Sequence, residues 1–305
     1  MTRDQLISTF RNLADDNAQP YLWSDAVLTS YAAHGELEAC RRARLIEDRD
    51  TAAVCEIAVV AGTHTYAIDQ RVIYIRRARL ASQSEPLGKA SVAALDEHRP
   101  GWEDEAQGAP LCWAPVGNRK VRLVPTPAAN DTLRLTVVRG PLQEISGLGY
   151  GAALGVASVV SSANVATLTL NTPPATALAA GQRYRIAGAT QTEYNGIVDV
   201  VSAPTTASFT YAHAGTPDSP ATGTITAEPV IEAVQPEILP AYHMGLVRWM
   251  LHRAFLHRER QDTYRPEESA RYLAEFEAEF GAAPSAIDET WILRKHGYDE
   301  YEGLF

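Results

Sequence analysis

Three histidines, His243, His252 and His257, share one segment of helical periodicity, where side chains that can ligate a metal or move a proton could act together. A helix holds a metal through ligands one turn apart, as in H-E-x-x-H, and that motif does not occur. His252 and His257 are five positions apart, so on a helix of 3.6 residues per turn they diverge by about 140°. They read as packing or surface histidines. Cys40, Cys55 and Cys112 form no C-x-x-C and no zinc spacing, and read as reduced, mostly buried thiols of a protein made in the cytosol. Glu103 with Asp104 and Glu267 with Glu268 are adjacent carboxylates that could serve as acid and base, but nothing marks them above solvated charge. "GLGYGA" from Gly147 loosely follows G-x-G-x-x-A, yet a dinucleotide site needs a helix immediately afterwards and the segment that follows is β-like, so this stretch reads as a linker. G-x-S-x-G, P-loop and kinase patterns are absent from the sequence. The expectation is a protein with no catalytic residues, no metal site and no cofactor, not an enzyme.

Charge narrows the partners. The chain has 305 residues and a formal net charge of −10, whereas a protein that grips phosphates shows a basic excess. "RRAR" occurs at Arg41–Arg44 on a helical segment and at Arg76–Arg79 on a strand-like one. Phosphate contact is one reading. Ion pairing, within the chain or across a subunit boundary, fits the overall acidity better. An acidic surface that lets DNA pass without sticking is compatible with this balance. No apolar run approaches the roughly 20 residues of a membrane span, and "MTRDQLISTF" carries charges where a signal peptide needs an apolar core.

The elements that carry these residues follow from periodicity. Thr2 and Gln5 form a capping box, and Leu6, Ile7, Phe10 and Leu13 continue at helical spacing. Ser24 caps a second helix reaching about Glu47, on which Leu28, Ala32, Gly35, Ala39, Ala43 and Ile46 make a narrow face of small residues. From about Val54 the period becomes two. "CEIAVVAGTHTYAI" and "RVIYIRRARLA" read as strands; after a polar loop holding Trp102 come "PLCWAPVG", "KVRLVPTP" and "DTLRLTVVRGP", with hairpin turns at Gly117-Asn118 and Asn130-Asp131. Helix returns after Pro236 with a stripe of His243, Leu246, Val247, Met250, Leu251, Ala254 and Phe255. A last helix begins at Pro266, carries a stripe of Tyr272, Leu273, Phe276 and Phe280, and stops at Gly281. Gly35, Ala39, Met250 and Phe255 are the expected packing residues, between helices or between subunits.

One block departs from this. Between Ser146 and Ala227 the only charged residues are Arg183, Arg185, Glu193, Asp199 and Asp218, against 21% for the whole chain. Short strand-like pieces alternate with turn signals there, and Gly- and Pro-rich joints flank it. Residues 147–228 read as an all-β sandwich- or barrel-like domain inserted into a host formed by 1–146 and 229–281, with 282–305 as a tail. The fold class is therefore α+β: a helical bundle with a small antiparallel β region, plus the insert. Tyr184, Tyr194, Phe209 and Tyr211 could offer stacking faces to a glycan, but their alternation assigns most of them to a core.

The host pieces "LWSDAVLTSYAAHGELEACRRARLI", "LDEHRPGWEDEAQGAP" and "VRLVPTPAANDTLRLTVVRGP", with "PEILPAYHMGLVRWMLHRAFLHRERQDTYRPEESARYLAEFEAEFG", together resemble the phage head-to-tail adaptor proteins related to the tail tubular protein A group of short-tailed phages. The resemblance covers residues 1–146 and 229–281; Pro236-Glu237-Ile238-x-Pro240-x-Tyr242-His243 is its most telling piece. The insert resembles small β modules of phage structural proteins. The host resemblance implies a virion protein at the head-tail junction, made in the host cytoplasm. It implies a homo-oligomeric, dodecameric ring between the portal protein and the tail nozzle protein, with DNA passing through the lumen without specific binding and no membrane partner. It also implies a portal-docking tail, in which Trp291, Ile292, Leu293, Tyr298, Tyr301 and Phe305 are the apolar anchors. A tail fibre protein is the further partner expected at the insert. The alternative reading is a tail-associated glycan- or receptor-binding protein acting through the insert.

Overall fold

The computed structural model describes residues 1–117, 119–256 and 264–284. The fold is mixed α+β and divides into two compact units, Met1–Ile145 with the chain from Gln235 onward, and Ser146–Val234.

Unit 1 opens with α1 (Arg3–Ala14) and α2 (Asp25–Ala43). The capping box at Thr2 and Gln5 is formed in both directions, and the Ser24 side chain caps α2. Then follow β1 (Ile46–Asp48), α3 (Ala52–Cys55), β2 (Glu56–Val59), β3 (Thr65–Ala67), β4 (Val72–Leu80), β5 (Gly88–Lys89), α4 (Val92–His98), β6 (Cys112–Pro115), β7 (Lys120–Val124) and β8 (Asp131–Arg139). After unit 2 the chain adds α5 (His243–Phe255) and α6 (Pro266–Phe280). Helix α5 is central and packs against α1, α2 and α6. Leu6, Phe10, Trp23, Leu28, Leu246, Met250 and Phe255 form the core where α1, α2 and α5 meet.

Several expected boundaries move. Helix α2 stops at Ala43 rather than near Glu47, because Arg44 turns left-handed (φ 54°) and Ile46–Asp48 instead pairs with β8. Leu13 lies outside the core; Ala14 takes the buried position and Arg11 is buried by ion pairs to Asp16 and Asp25. The first strand-like run begins as the helical turn α3. Gly117 turns the hairpin that pairs β6 with β7, and Asn118 lies outside the described residues. Asn130-Asp131 makes no hairpin, since β7 pairs with β3 and β6 while β8 pairs with β1, β2 and β4. The stretch before Trp102, expected as a loop, contains α4, capped by Ser91.

The β region of unit 1 is thus two sheets. Alternation places Leu80, Ala78 and Ile75 of β4 and Leu133, Leu135 and Val137 of β8 on one face. These meet Trp113, Val121 and Leu123 of the β3-β7-β6-β5 sheet in a shared core.

Unit 2 contains β9 (Gly149–Tyr150), β10 (Leu154–Ser162), β11 (Val165–Leu170), β12 (Arg183–Ala189), β13 (Gly196–Asp199), β14 (Ser202–Thr205), β15 (Ser208–Ala212) and β16 (Gly223–Ile231). Hydrogen bonds join them in one sheet, ordered β13-β12-β16-β10-β11-β15-β14, with β9 on β16. Only Val200 and Val201 separate the two end strands in sequence, and Val201 N–H donates to Thr210 of β15 at 2.8 Å. The sheet therefore curls so that its ends approach around one core. Tyr184, Tyr194, Phe209 and Tyr211 lie inside that core, at most 3% exposed, so these rings offer no stacking face to a glycan. The unit's ends are adjacent: Ser146 N–H donates to Val234 at 3.2 Å.

Gly188 on β12 has φ +87°, and a Cβ there would lie 2.0 Å from the Thr224 carbonyl oxygen of β16. Gly181 has a similar φ of +85° with open space around it. Gly181→Ala is expected to cost about 1 to 2 kcal/mol from left-handed backbone strain alone. Gly188→Ala must in addition push two paired strands apart, and unit 2 should melt at a clearly lower temperature than in Gly181→Ala. Equal melting of the two variants by calorimetry would show that the close strand approach does not matter.

Candidate functional site

The small-residue face of α2 receives α5. An added Cβ at Gly35 would lie 2.9 Å from Cδ1 of Trp249, so the indole fills the space that a side chain would need. Ala39 joins Trp249, Phe276 and Phe280 in one cluster, while Met250 and Phe255 lie in the neighbouring core with Leu28 and Ala32. The residue that meets Gly35 is thus Trp249, which the apolar stripe read from the sequence had omitted. Arg42 closes this contact. Its guanidinium lies 5.4 Å over Trp249 and 5.2 Å over Phe276, bonds Glu38 at 3.1 Å and reaches the Gly281 carbonyl at 3.3 Å. Arg41 donates to the Pro284 carbonyl at 3.3 Å. The end of α6 and the residues after it to Pro284 are therefore held against the last turn of α2. Trp291, Ile292, Leu293, Tyr298, Tyr301 and Phe305 lie outside the described residues.

A second constellation centres on Arg139 at the end of β8. Its Nε donates to Asp48 at 2.6 Å, and its two terminal nitrogens grip both oxygens of Glu237 at 3.0 and 2.5 Å. Glu237 also accepts the Leu142 N–H at 2.8 Å. Glu36 of α2 accepts the N–H groups of Glu237 and Ile238 through one oxygen, at 2.5 and 3.1 Å; its other oxygen is buried without a hydrogen-bond partner. This explains the Pro236–His243 stretch chemically. Glu237 supplies the clamp, Ile238 is buried, Tyr242 packs edge-on to Phe280, and His243 is 2.9 Å from the Ile238 carbonyl while also contacting the Met1 amine.

Protonation follows these contacts. Burial pushes Glu36 above the ordinary carboxylate range despite its two N–H donors. Burial works in the same direction on Asp48 and Glu237, but the hydrogen bonds each receives, including those from Arg139, outweigh it and leave both below that range. Burial, helped by Glu36, pushes the Cys40 thiol up to about 12; burial, helped by Asp48, pushes Cys55 up to about 11. All three cysteines are buried. His252 is pulled down by burial and sits 2.9 Å from the Ser269 hydroxyl; His257 lies outside the described residues. Glu103 lies 3.5 Å from Arg122, and Glu268 3.7 Å from Arg265. Within the first RRAR, Arg41 and Arg42 pair with Glu38; within the second, Arg76 pairs with Glu47. "GLGYGA" runs into strands β9 and β10, not a helix. Among the described residues no group of three His, Cys, Asp or Glu side chains could hold a metal ion, and no helix is long and apolar enough to cross a membrane.

Residues 1–147 match the model of a family described as SU10 adaptor protein. The match spans α1 to β8 and supports a phage adaptor: a structural rather than catalytic protein of the virion, a connector of head and tail that interacts with other head and tail proteins. No curated protein matches the chain.

Two outcomes follow from the charged constellation. Arg139→Met leaves Asp48 buried, and Glu237 at its side, without their cation, which should cost about 3 to 5 kcal/mol in a denaturant titration at neutral pH. Glu36 titrates higher in the folded chain than in the unfolded one, so its contribution favours folding below the ordinary value of 4.5 and declines as pH rises through its raised folded value. Glu36→Gln keeps an acceptor for both N–H groups and removes that slope. Its stability relative to the wild type should rise as pH increases above about 4.5; a pH-independent difference would contradict the assignment.

Proposed function

We propose that this chain is a head-to-tail adaptor of the tail tubular protein A type, forming a ring between portal and tail nozzle through which DNA passes without specific binding. The observation that carries the reading is the adaptor-family match over residues 1–147, the part of the chain that supplies three of the four sides of the Arg139 clamp and the helix that receives α5. The clamp joins the matched region to the segment leading into α5 and α6, so α1, α2, α5 and α6 act as one helical bundle. Unit 2, expected over residues 147–228 and extending to Val234 because β16 runs to Ile231, acts as an inserted domain, for which a tail or fibre protein is the partner. Residues 282–305 act as the portal-docking tail, with Trp291 as the leading anchor. Their point of departure is held by Arg41 and Arg42, and a short aromatic segment suits folding on a partner better than folding alone. Net acidity suits a channel that must release DNA. The glycan-binding alternative loses its main support in the burial of the four aromatic rings of unit 2.

The test is assembly. Full-length protein should form a ring, alone or on purified portal, visible by negative-stain imaging and mass photometry. Truncation before Ala282 should leave the melting temperature of the subunit near that of the full chain and abolish portal binding. A truncated chain that still binds portal would remove the tail from the reading. A full-length chain that neither oligomerises nor joins portal would remove the adaptor.

A further inference from the structure

The two sheets of unit 1 share one core, so their outer faces point in opposite directions. The outer face of β4 and β8 is basic. Arg79 stands directly opposite Arg134, and Arg77 opposite Thr136. Like charges directly opposite on paired strands oppose folding; here Glu56, opposite Arg134 on β2, relieves one of them at 3.3 Å. A register shift between Ile75 and Arg77 adds Arg76, and both Arg76 and Arg77 are exposed. A bulge of this kind re-aims a side chain. Arg76 reaches Glu47 across the sheet at 3.0 Å. Among the described residues, four arginines therefore share this face with two carboxylates, in a chain whose net charge is −10.

The outer face of the other sheet is acidic. Cys112 and Ala114 alternate with Trp113, and Val124 with Leu123, so they point away from the shared core and are covered by Leu95 and Trp102. The cover is α4 and the turn after it, carrying Asp96, Glu97, Glu103, Asp104 and Glu105. On this side Arg99 pairs with Glu105, Arg122 of β7 lies over the Trp102 ring at 4.5 Å and on the Glu103 carbonyl at 2.8 Å, and Lys120 at the start of β7 adds one exposed cation. The surplus on this side is carboxylate.

We propose that the arginine face of β4 and β8 docks a second copy of this chain, which presents its α4 side. A surface and its complement on opposite sides of one body make a head-to-tail contact, and such contacts generate rings when the rotation closes. The contact deepens the adaptor reading and rests on it for closure. Charge complementarity selects the occupant. A DNA duplex would engage the arginines alone, against the field of an acidic chain, and would leave the carboxylate side without a role. A second copy uses both faces.

Two exposed pairs test this in the full-length chain. Arg76→Glu with Arg77→Glu makes both faces acidic; Glu97→Arg with Asp104→Arg makes both basic. Each double variant should need at least about tenfold more protein than the wild type for half-assembly, read by sedimentation in low salt. An equimolar mixture of the two should assemble near the wild-type concentration, because unlike copies then alternate. Raising salt from about 0.05 to about 0.5 M should weaken wild-type assembly as screening shortens. Thermal melts confirm that the variants fold; if a reversed pair does not, Arg76→Gln with Arg77→Gln replaces it, with a smaller shift expected. A folded double variant that assembles at the wild-type concentration overturns the contact while leaving the ring reading intact. A wild-type chain that remains monomeric with and without portal overturns both. Normal assembly together with lost, salt-sensitive retention of a short duplex would assign the arginines to phosphate instead, and likewise overturn the proposal.

Discussion

Arg139 fixes the end of β8 to two segments that are remote in sequence. Asp48 comes from the end of β1 and Glu237 from the approach to α5, 98 positions beyond Arg139. A guanidinium suits this position because its donors lie in one plane and are always charged, so one side chain can hold one carboxylate through Nε and another through both terminal nitrogens. The arrangement has little to spare. Arg139 and Asp48 leave water almost entirely and Glu237 in part, and their mutual attraction offsets that loss only while every bond is made. Glu36 completes the join from α2 by receiving the N–H groups of Glu237 and Ile238, which would otherwise be buried donors ahead of α5. Helices from both ends of the chain can then share a core although the whole of unit 2 lies between them in sequence.

The same accounting explains how α2 and α5 approach. A bulky pair of facing residues would hold the helices apart. Gly35 removes that obstacle on one side, and Trp249 fills the space from the other. The indole is then surrounded by Phe276 at 4.8 Å, His34 at 5.3 Å and His252 at 5.5 Å. Arg42 covers the ring while spending its remaining donors on Glu38, Glu277 and Gly281. An arginine that the sequence offers as phosphate-binding is in this way consumed by packing. Its charge is hidden with 4% of the side chain exposed.

Local signals were the legible ones. The capping box, the Ser24 cap, the Pro266 start and the stripe from His243 to Phe255 depend on residues three or four positions apart, and the structure contains all of them. Strand existence was also legible from period-two alternation. Strand partners were not. Asn130-Asp131 resembles a hairpin turn, yet β7 and β8 belong to different sheets, a choice made by cores assembled from distant strands. Helix α4 escaped notice because seven residues are too few for a clear stripe. Trp249 was missed as the partner of Gly35 because it falls just beside the strongest apolar stripe. The role of Arg139 was invisible, since its carboxylates are separated from it by 91 and 98 positions.

The low charge of unit 2 has an explanation in sheet chemistry. In a sheet curled around one core, inward positions are apolar and outward ones need only be compatible with water and with β structure, which Thr and Val satisfy without charge. Across β10, β11, β15 and β14 the outward residues run Val160, Thr167, Thr210 and Ser202 in register, each opposite the next. The charges on strands occur where a partner offsets them, Arg183 with Asp199 and Glu232 and Arg185 with Glu228, on β12, β13, β16 or immediately after β16, while Glu193 and Asp218 lie between strands. The scarcity of charge that sets residues 147–228 apart is therefore first a property of how this sheet is built. Any partner that meets the neutral strands must do so on their outward face. The sheet's ends run into each other through Val200 and Val201, and Pro204 removes a donor from the end strand β14, so addition of a further strand there is disfavoured.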